Sequence, residues 1–176
     1  MDKVSSSKLV GLSQNIALPA HGLQGTFATK ANFDSGLVVK PRFGGSSVGV
    51  SIVKNKKNLA QAIKRANREG EVLVQKYLEG REFTCGVLEF TKGNPSVLPV
   101  IEIIPKTGCY DYKAKYSRGG SEHICPAQIP ENLTREIQRA SLVAHQTLGC
   151  RHISRSEFIF SKNNLYYQEN NTMPRK

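Results

Sequence analysis

The sequence has no tryptophan, only two methionines and four cysteines, and 14 acidic residues against 25 Lys and Arg in 176 positions. Each shortage excludes something. Cys85, Cys109, Cys125 and Cys150 include no C-x-x-C pair and no histidine at zinc-finger spacing, which excludes a zinc ribbon or a disulfide scaffold. Free thiols in a reducing compartment are the expectation. The four histidines, His21, His123, His145 and His152, are equally scattered. No apolar run approaches the roughly 20 residues that span a bilayer. The opening Met1-Asp2-Lys3 lacks the basic-then-apolar layout of a secretory signal, so a soluble, cytoplasmic chain is expected. The deficit of acids leaves a net charge of +11, which suits nucleic acid, anionic lipid or a polyphosphate ligand alike. Single-stranded nucleic acid also needs aromatic platforms among the basic residues, and none lies between Phe43 and Tyr77, so a nucleic-acid partner is not expected.

What is present is an ordinary globular composition, 39% hydrophobic and 22% charged, long enough to bury about 70% of its unfolded surface. Residues 36–40 and 48–53 read as β-branched strands flanking the turn Pro41-Arg-Phe-Gly-Gly-Ser-Ser47. Leu59, Ala62, Ile63 and Ala66 recur at helical spacing, predicting an amphipathic helix over 58–69 with a basic outer face. A short helix near 8–12 precedes these. Residues 72–78, 83–90, 96–104 and 123–129 read as strands. The polar stretch 105–120 is long enough for a functional loop. A second helix follows Pro130, with Leu133, Ile137, Ala140, Ala144 and Leu148 on one face. Two final strands, 156–160 and 165–169, meet at Lys162-Asn163-Asn164. Strands grouped in twos and threes between helices indicate an α+β fold with mainly antiparallel pairing.

Three places carry candidate chemistry. The Gly44-Gly45-Ser46-Ser47 loop offers free backbone N–H groups and hydroxyls, and Lys40 stands at the end of the strand entering it, as a phosphate cradle requires. A plain Gly-Ser hairpin loop would look similar. In the last hairpin, a register centred on Asn163 sets Glu157 opposite Glu169 and Arg155 opposite Asn171, all on one face. Facing carboxylates repel unless something compensates, and a hard cation such as Mg²⁺ would do so; two solvated glutamates are the alternative. Gln75-Lys76-Tyr77-Leu78 running to Glu82 suits a purine edge followed by ribose hydroxyls, or an ordinary strand end. In the long loop, Tyr110-Asp-Tyr-Lys-Ala-Lys-Tyr116 suits a cover over an anionic ligand, or a surface decoration.

Taken in order, Lys40-Pro41 with Gly45-Ser-Ser-Val-Gly49, Glu71-Val-Leu-Val with Gly80-Arg-Glu-Phe83, Tyr110–Tyr116, Leu148-Gly-Cys-Arg151 and Glu169-Asn-Asn-Thr-Met-Pro174 resemble the D-alanine–D-alanine ligase family of ATP-grasp enzymes. The resemblance implies an ATP-grasp fold of two α+β lobes around ATP and Mg²⁺, or Mn²⁺ in its place. It divides the chain into a shortened ATP-binding lobe over 1–106 and a second lobe over 107–176. The implied reaction activates one D-alanine carboxylate with ATP for attack by the amine of a second, in peptidoglycan precursor synthesis. Implied nucleotide contacts are Lys3, Lys40, Gly45, Ser46, Gln75, Lys76, Leu78, Glu82 and, from the loop, Lys115. Implied magnesium ligands are Glu157, Glu169 and Asn171. Arg155 would steady developing negative charge, with Ser46 and Tyr116 shaping the D-alanine pocket.

The chain departs from the family pattern at Gly44, Gln75 and Glu157, where the family has Glu, Glu and Asp, and at Arg175, where it has Gly. The resemblance further implies a truncated chain, without the family's N-terminal domain and C-terminal end, which a separate domain or a second copy would have to complete. A non-catalytic ATP-grasp remnant that binds nucleotide or a partner is the alternative.

Overall fold

The computed structural model describes residues 2–14, 16–23, 33, 35–45, 47–91, 93–105 and 120–172. Helix α1 (Lys3–Gln14) opens the chain, followed by β1 (His21–Leu23), β2 (Leu37–Pro41), β3 (Ser51–Val53) and α2 (Leu59–Ala66), which is flanked by 3-10 turns. Strands β4 (Val72–Lys76), β5 (Arg81–Glu89), β6 (Ser96–Val97), β7 (Ile101–Pro105) and β8 (Ser121–Ile124) lead to α3 (Glu131–Thr147) and the hairpin β9 (His152–Ser161) and β10 (Asn164–Asn171). The strands form two sheets, β1-β4-β2-β3 and β10-β9-β5-β7-β8, with β6 on β5. Every ladder between the described strands is antiparallel. No helix among the described residues is long and apolar enough to cross a membrane.

Each sheet has its own core. Ala62 and Ala66 of α2 pack with Leu37, Val39, Val53, Val72 and Val74 behind the smaller sheet. Leu133, Ile137, Ala140 and Ala144 of α3 cover Phe83, Cys85, Phe158 and Tyr167 of the larger one, as the 3.6-residue spacing requires. Val10 of α1 joins this second core, although α1 precedes the first sheet in sequence. The segment after α1 links the sheets: Ala17 bridges Tyr166 of β10, and the Ala20 carbonyl accepts from Lys76 N of β4 at 2.8 Å.

The sheets divide the chain differently from the expected 1–106 and 107–176. All of β5 pairs with β9, from Arg81 with Phe160 to Glu89 with His152, and β7 pairs with β5. Residues 81–105 therefore lie in the second sheet, and the crossing falls at 77–80. The expected boundary came from the family resemblance, whereas a strand belongs to the sheet that satisfies its backbone. Proline explains other differences. The expected strand 96–104 is split by Pro99, and 123–129 stops at Ile124 before Pro126, because neither proline can donate to a ladder. The strand expected from 48 begins at Ser51, since Ser47 and Gly49 have φ of 56° and 73°. Helix α1 is longer than the 8–12 expected.

Gly80 is the tightest point of the crossing. A Cβ there would collide with the Phe160 carbonyl oxygen and press on Ile159 Cγ2, whereas one on Gly45 would meet nothing within 4 Å. Gly80→Ala should therefore cost about 1–3 kcal/mol in urea unfolding, against less than about 0.5 kcal/mol for Gly45→Ala.

Candidate functional site

One wall of the site is the end of β2 and the loop after it. Lys40 is buried, 9% exposed, where β2 runs between β3 and β4. Arg42 follows, its amide bonded to the Glu71 carbonyl at 2.7 Å and its guanidinium to Asp2 Oδ1 at 2.8 Å and Glu71 Oε2 at 2.7 Å. Asp2 in turn caps α1, accepting from Val4 N at 2.9 Å. The start of α1 is thereby clamped to the loop, and Lys3 Nζ donates to the Gly44 carbonyl at 2.8 Å. The hydrogen bonds from Arg42 hold the Asp2 carboxyl well below the usual carboxylate range.

The opposite wall is the β9–β10 hairpin. Its turn is two residues, Lys162 and Asn163, with φ of 49° and 62°, rather than three centred on Asn163. Leu165 therefore faces Phe160 and Tyr167 faces Phe158. That register would have put Glu169 on the core face with Leu165 and Tyr167. A bulge at Gln168 shifts the ladder by one, so that Glu169 faces Glu157 and Asn171 faces Arg155. The expected pairing is thus present, reached through a turn and a bulge together. Glu157 Oε1 accepts from Arg155 Nη2 at 3.0 Å and from Asn171 Nδ2 at 3.2 Å. Burial pushes the neighbouring Tyr167 phenol up, and the charges of Glu169, Cys150 and Glu157 add smaller shifts in the same direction.

Between these walls lies a cleft of about 380 Å³, within the range of small-molecule sites. Lys3, Lys40, Gly45, Gln75, Lys76, Leu78, Glu82, Glu157 and Glu169 all line it. Val38 and Ile52 on one sheet and Ile103 and Ile159 on the other give it apolar sides. Arg155 and Asn171 stand behind the rim, touching Glu157. Ser46, Lys115 and Tyr116 lie outside the described residues.

The donor chemistry fits both expected groups. Two carboxylates and the amide oxygen of Asn171 are hard oxygen donors, and Mg²⁺ is usually held by one or two carboxylates with phosphates and water completing its shell. Among the described residues no three His, Cys, Asp or Glu side chains converge. Arg155 Nε and Gln168 Nε2 are buried donors with no partner among the described residues, as expected where a polar ligand completes a site.

Two antiparallel-stranded lobes that clasp a cleft, with a glycine-loop lysine on one wall and carboxylates on the other, define an ATP-grasp fold. The solved D-Ala:D-Ser ligase VanG from Enterococcus faecalis superposes with a TM-score of 0.81 at 31% identity, over 99% of this chain and 52% of that one. The family described as D-ala D-ala ligase C-terminus matches residues 23–175, and the chain belongs to it. The D-alanine--D-alanine ligase of Geotalea uraniireducens is 44% identical over 144 residues, covering 81% of this chain and 45% of the relative. That of Bartonella bacilliformis is 39% identical over 184 aligned residues, covering 99% of this chain and 58% of the relative. The chain spans about half the length of these relatives.

Sequence reasoning missed Arg42 and Gln168. Arg42 had a signal, since it directly follows the Lys40-Pro41 strand end that was singled out. Gln168 had none, because only the bulge turns it toward the cleft. The Asp2–Arg42 pair carries a pH dependence. The depressed carboxyl contributes stability fully above the unfolded Asp value of about 4, and loses it as pH falls toward the folded value. Asp2→Asn should therefore be less stable than the unaltered chain at pH 7, with the gap closing below about pH 4 in denaturant titrations.

Proposed function

We propose that this chain supplies the nucleotide and metal site of an ATP-dependent carboxylate–amine ligase of the D-alanine–D-alanine type, acting in the cytoplasm on peptidoglycan precursors. The observation that carries the reading is one cleft with Lys40 and the glycine loop on one wall and Glu157 with Glu169 on the other. That separation of charge suits a triphosphate whose oxygens meet lysines on one side and a carboxylate-held cation on the other.

When bound, MgATP supplies the phosphoryl group that activates a carboxylate for attack by an amine. The chain's own residues do the rest. Lys40, fixed in a ladder between two strands, neutralises phosphate charge without a reorganisation cost at the moment of reaction. The loop at Gly45 leaves room for a phosphate because it carries no side chain there, and the family resemblance adds Ser46 and Lys115, both outside the described residues, to the phosphate contacts. The apolar sides formed by Val38, Ile52, Ile103 and Ile159 exclude water around a base, while Gln75, Lys76 and Leu78 meet its edge and Glu82 the ribose. Glu157, Glu169 and Asn171 hold magnesium, or manganese in its place. Arg155 both orients Glu157 and keeps a guanidinium beside the reacting centre, where it stabilises negative charge as it develops. By the same resemblance Ser46 and Tyr116, outside the described residues, are assigned to the D-alanine pocket. The relatives are about twice as long, so a further domain or a second copy of the chain is the partner this reading calls for.

Two measurements test it. Lys40→Ala should weaken MgATP binding by about 1.5–3 kcal/mol in calorimetry, the range of a charge-assisted hydrogen bond. Lys64→Ala, on the exposed face of α2, should leave it unchanged. Equal effects would refute the phosphate site. In Glu169→Gln, which keeps shape but removes the charge on the cation, nucleotide binding should lose its dependence on Mg²⁺. Nucleotide binding with Mg²⁺ dependence but no dipeptide formation, even with a full-length relative's N-terminal domain supplied, would indicate a binding remnant instead.

A further inference from the structure

Gln75 and Gln168 meet across the two lobes. Gln75 is 6% exposed near the end of β4, paired with His21 and Val38 on its neighbours. Gln168 is the bulge residue of β10 and has no partner in the β9 ladder. Gln75 Nε2 donates to Gln168 Oε1 at 2.9 Å, and both residues line the cleft beside Leu78 and Glu82. The remaining donor of the pair, Gln168 Nε2, is buried without a partner among the described residues.

A carboxylate in either position would fix the other side chain, because it only accepts hydrogen bonds. Two amides do not. Turning both about their last bonds keeps one N–H···O bond with the roles reversed, and exchanges an unmade donor on Gln168 for an unmade acceptor. The two arrangements are close in energy because each contains the same single bond and leaves one polar atom of each amide outside it. They differ in what Gln75 offers the cleft. In one its carbonyl oxygen is left to accept; in the other its N–H is left to donate.

Resting on the nucleotide site proposed above, we infer that the Gln75–Gln168 amide pair makes the base end of the cleft tolerant of either purine 6-substituent. A 6-amino group donates to Gln75 Oε1, and a 6-oxo group accepts from Gln75 Nε2 after both amides turn. Gln168 acts as a positioning residue, supplying the complementary half of the bond in each arrangement. The ligand class is therefore purine nucleoside triphosphates with either substituent, rather than adenosine triphosphate alone.

The test compares MgATP with MgITP, whose base carries an oxo group where adenine has the amino group, by calorimetry on the whole chain. The two dissociation constants should lie within fivefold of each other. Gln75→Glu, which can only accept, should move the ratio toward ATP by about tenfold or more. If that variant does not fold, Gln168→Glu should move it the same way, because its carboxylate takes the Gln75 N–H and leaves the Gln75 carbonyl facing the base. A fivefold or larger preference in the unaltered chain overturns the inference, as does a folded variant whose ratio moves less than tenfold. Either result leaves the nucleotide site standing. Failure of both nucleotides to bind the unaltered chain overturns the site itself, and this inference with it.

Discussion

A strand has two faces and a side-chain period of two, so one strand can serve both a core and a cleft only if its residues are divided between them without error. Strand β10 has to do more. Leu165 and Tyr167 enter the core against α3, and Glu169, at the same odd parity, has to face the cleft, with Asn171 reaching Glu157 beside it. The extra residue at Gln168 resolves the conflict by reversing the parity midway, so that Asn170 takes the buried side beyond it. Glu169 and Asn171 are brought opposite Glu157 and Arg155 by that one bulge. It also turns Gln168 itself toward the opposite lobe.

The hairpin also rests on a polar floor. Ser156 donates to Asn170 Oδ1 at 3.0 Å, and Asn170 Nδ2 donates to Cys150 Sγ at 3.2 Å, directly behind the Glu157–Glu169 pair. Close by, His145 Nδ1 meets Ser154 Oγ at 2.9 Å. Buried polar groups paired in this way hold a single arrangement more firmly than apolar packing alone, since any shift leaves an unmade bond in low dielectric. The carboxylates that face the cleft thus stand on a rigid base, as a site for a cation with strict geometry needs. On the other wall the rigidity comes from charge. Arg42 ties Asp2 and Glu71 together, joining the start of α1 to the strand that carries Lys40.

The two lobes are connected closely at their edges. Gly80 lets the crossing segment approach Phe160, the 16–23 segment runs from the edge of β10 to the edge of β4, and the glutamine pair bridges the cleft. A cleft held at three places keeps its walls at a set separation. That separation matters for a ligand that must touch Lys40 and Glu169 at once.

The sequence by itself determined the α+β class, both principal helices and the antiparallel pairing, and its resemblance to the family named nine of the residues that line the cleft. These follow from local rules: the 3.6-residue spacing of Leu133, Ile137, Ala140 and Ala144, the β-branched runs before and after the glycine loop, and motif order along the chain. It also placed Glu157 opposite Glu169, although through a turn that does not form. Tertiary structure alone decided the rest. Whether β5 belongs to the first lobe or the second depends on which strand 63 to 79 positions distant satisfies its backbone, and no local pattern encodes that. The attachment of α1 to the second core, the Arg42 clamp and the Gln75–Gln168 bridge join residues 29 to 93 or more positions apart. The bulge is the clearest case. Its single extra residue has no signature in the sequence of β10, and only the competing demands of core and cleft on the two faces of one strand require it.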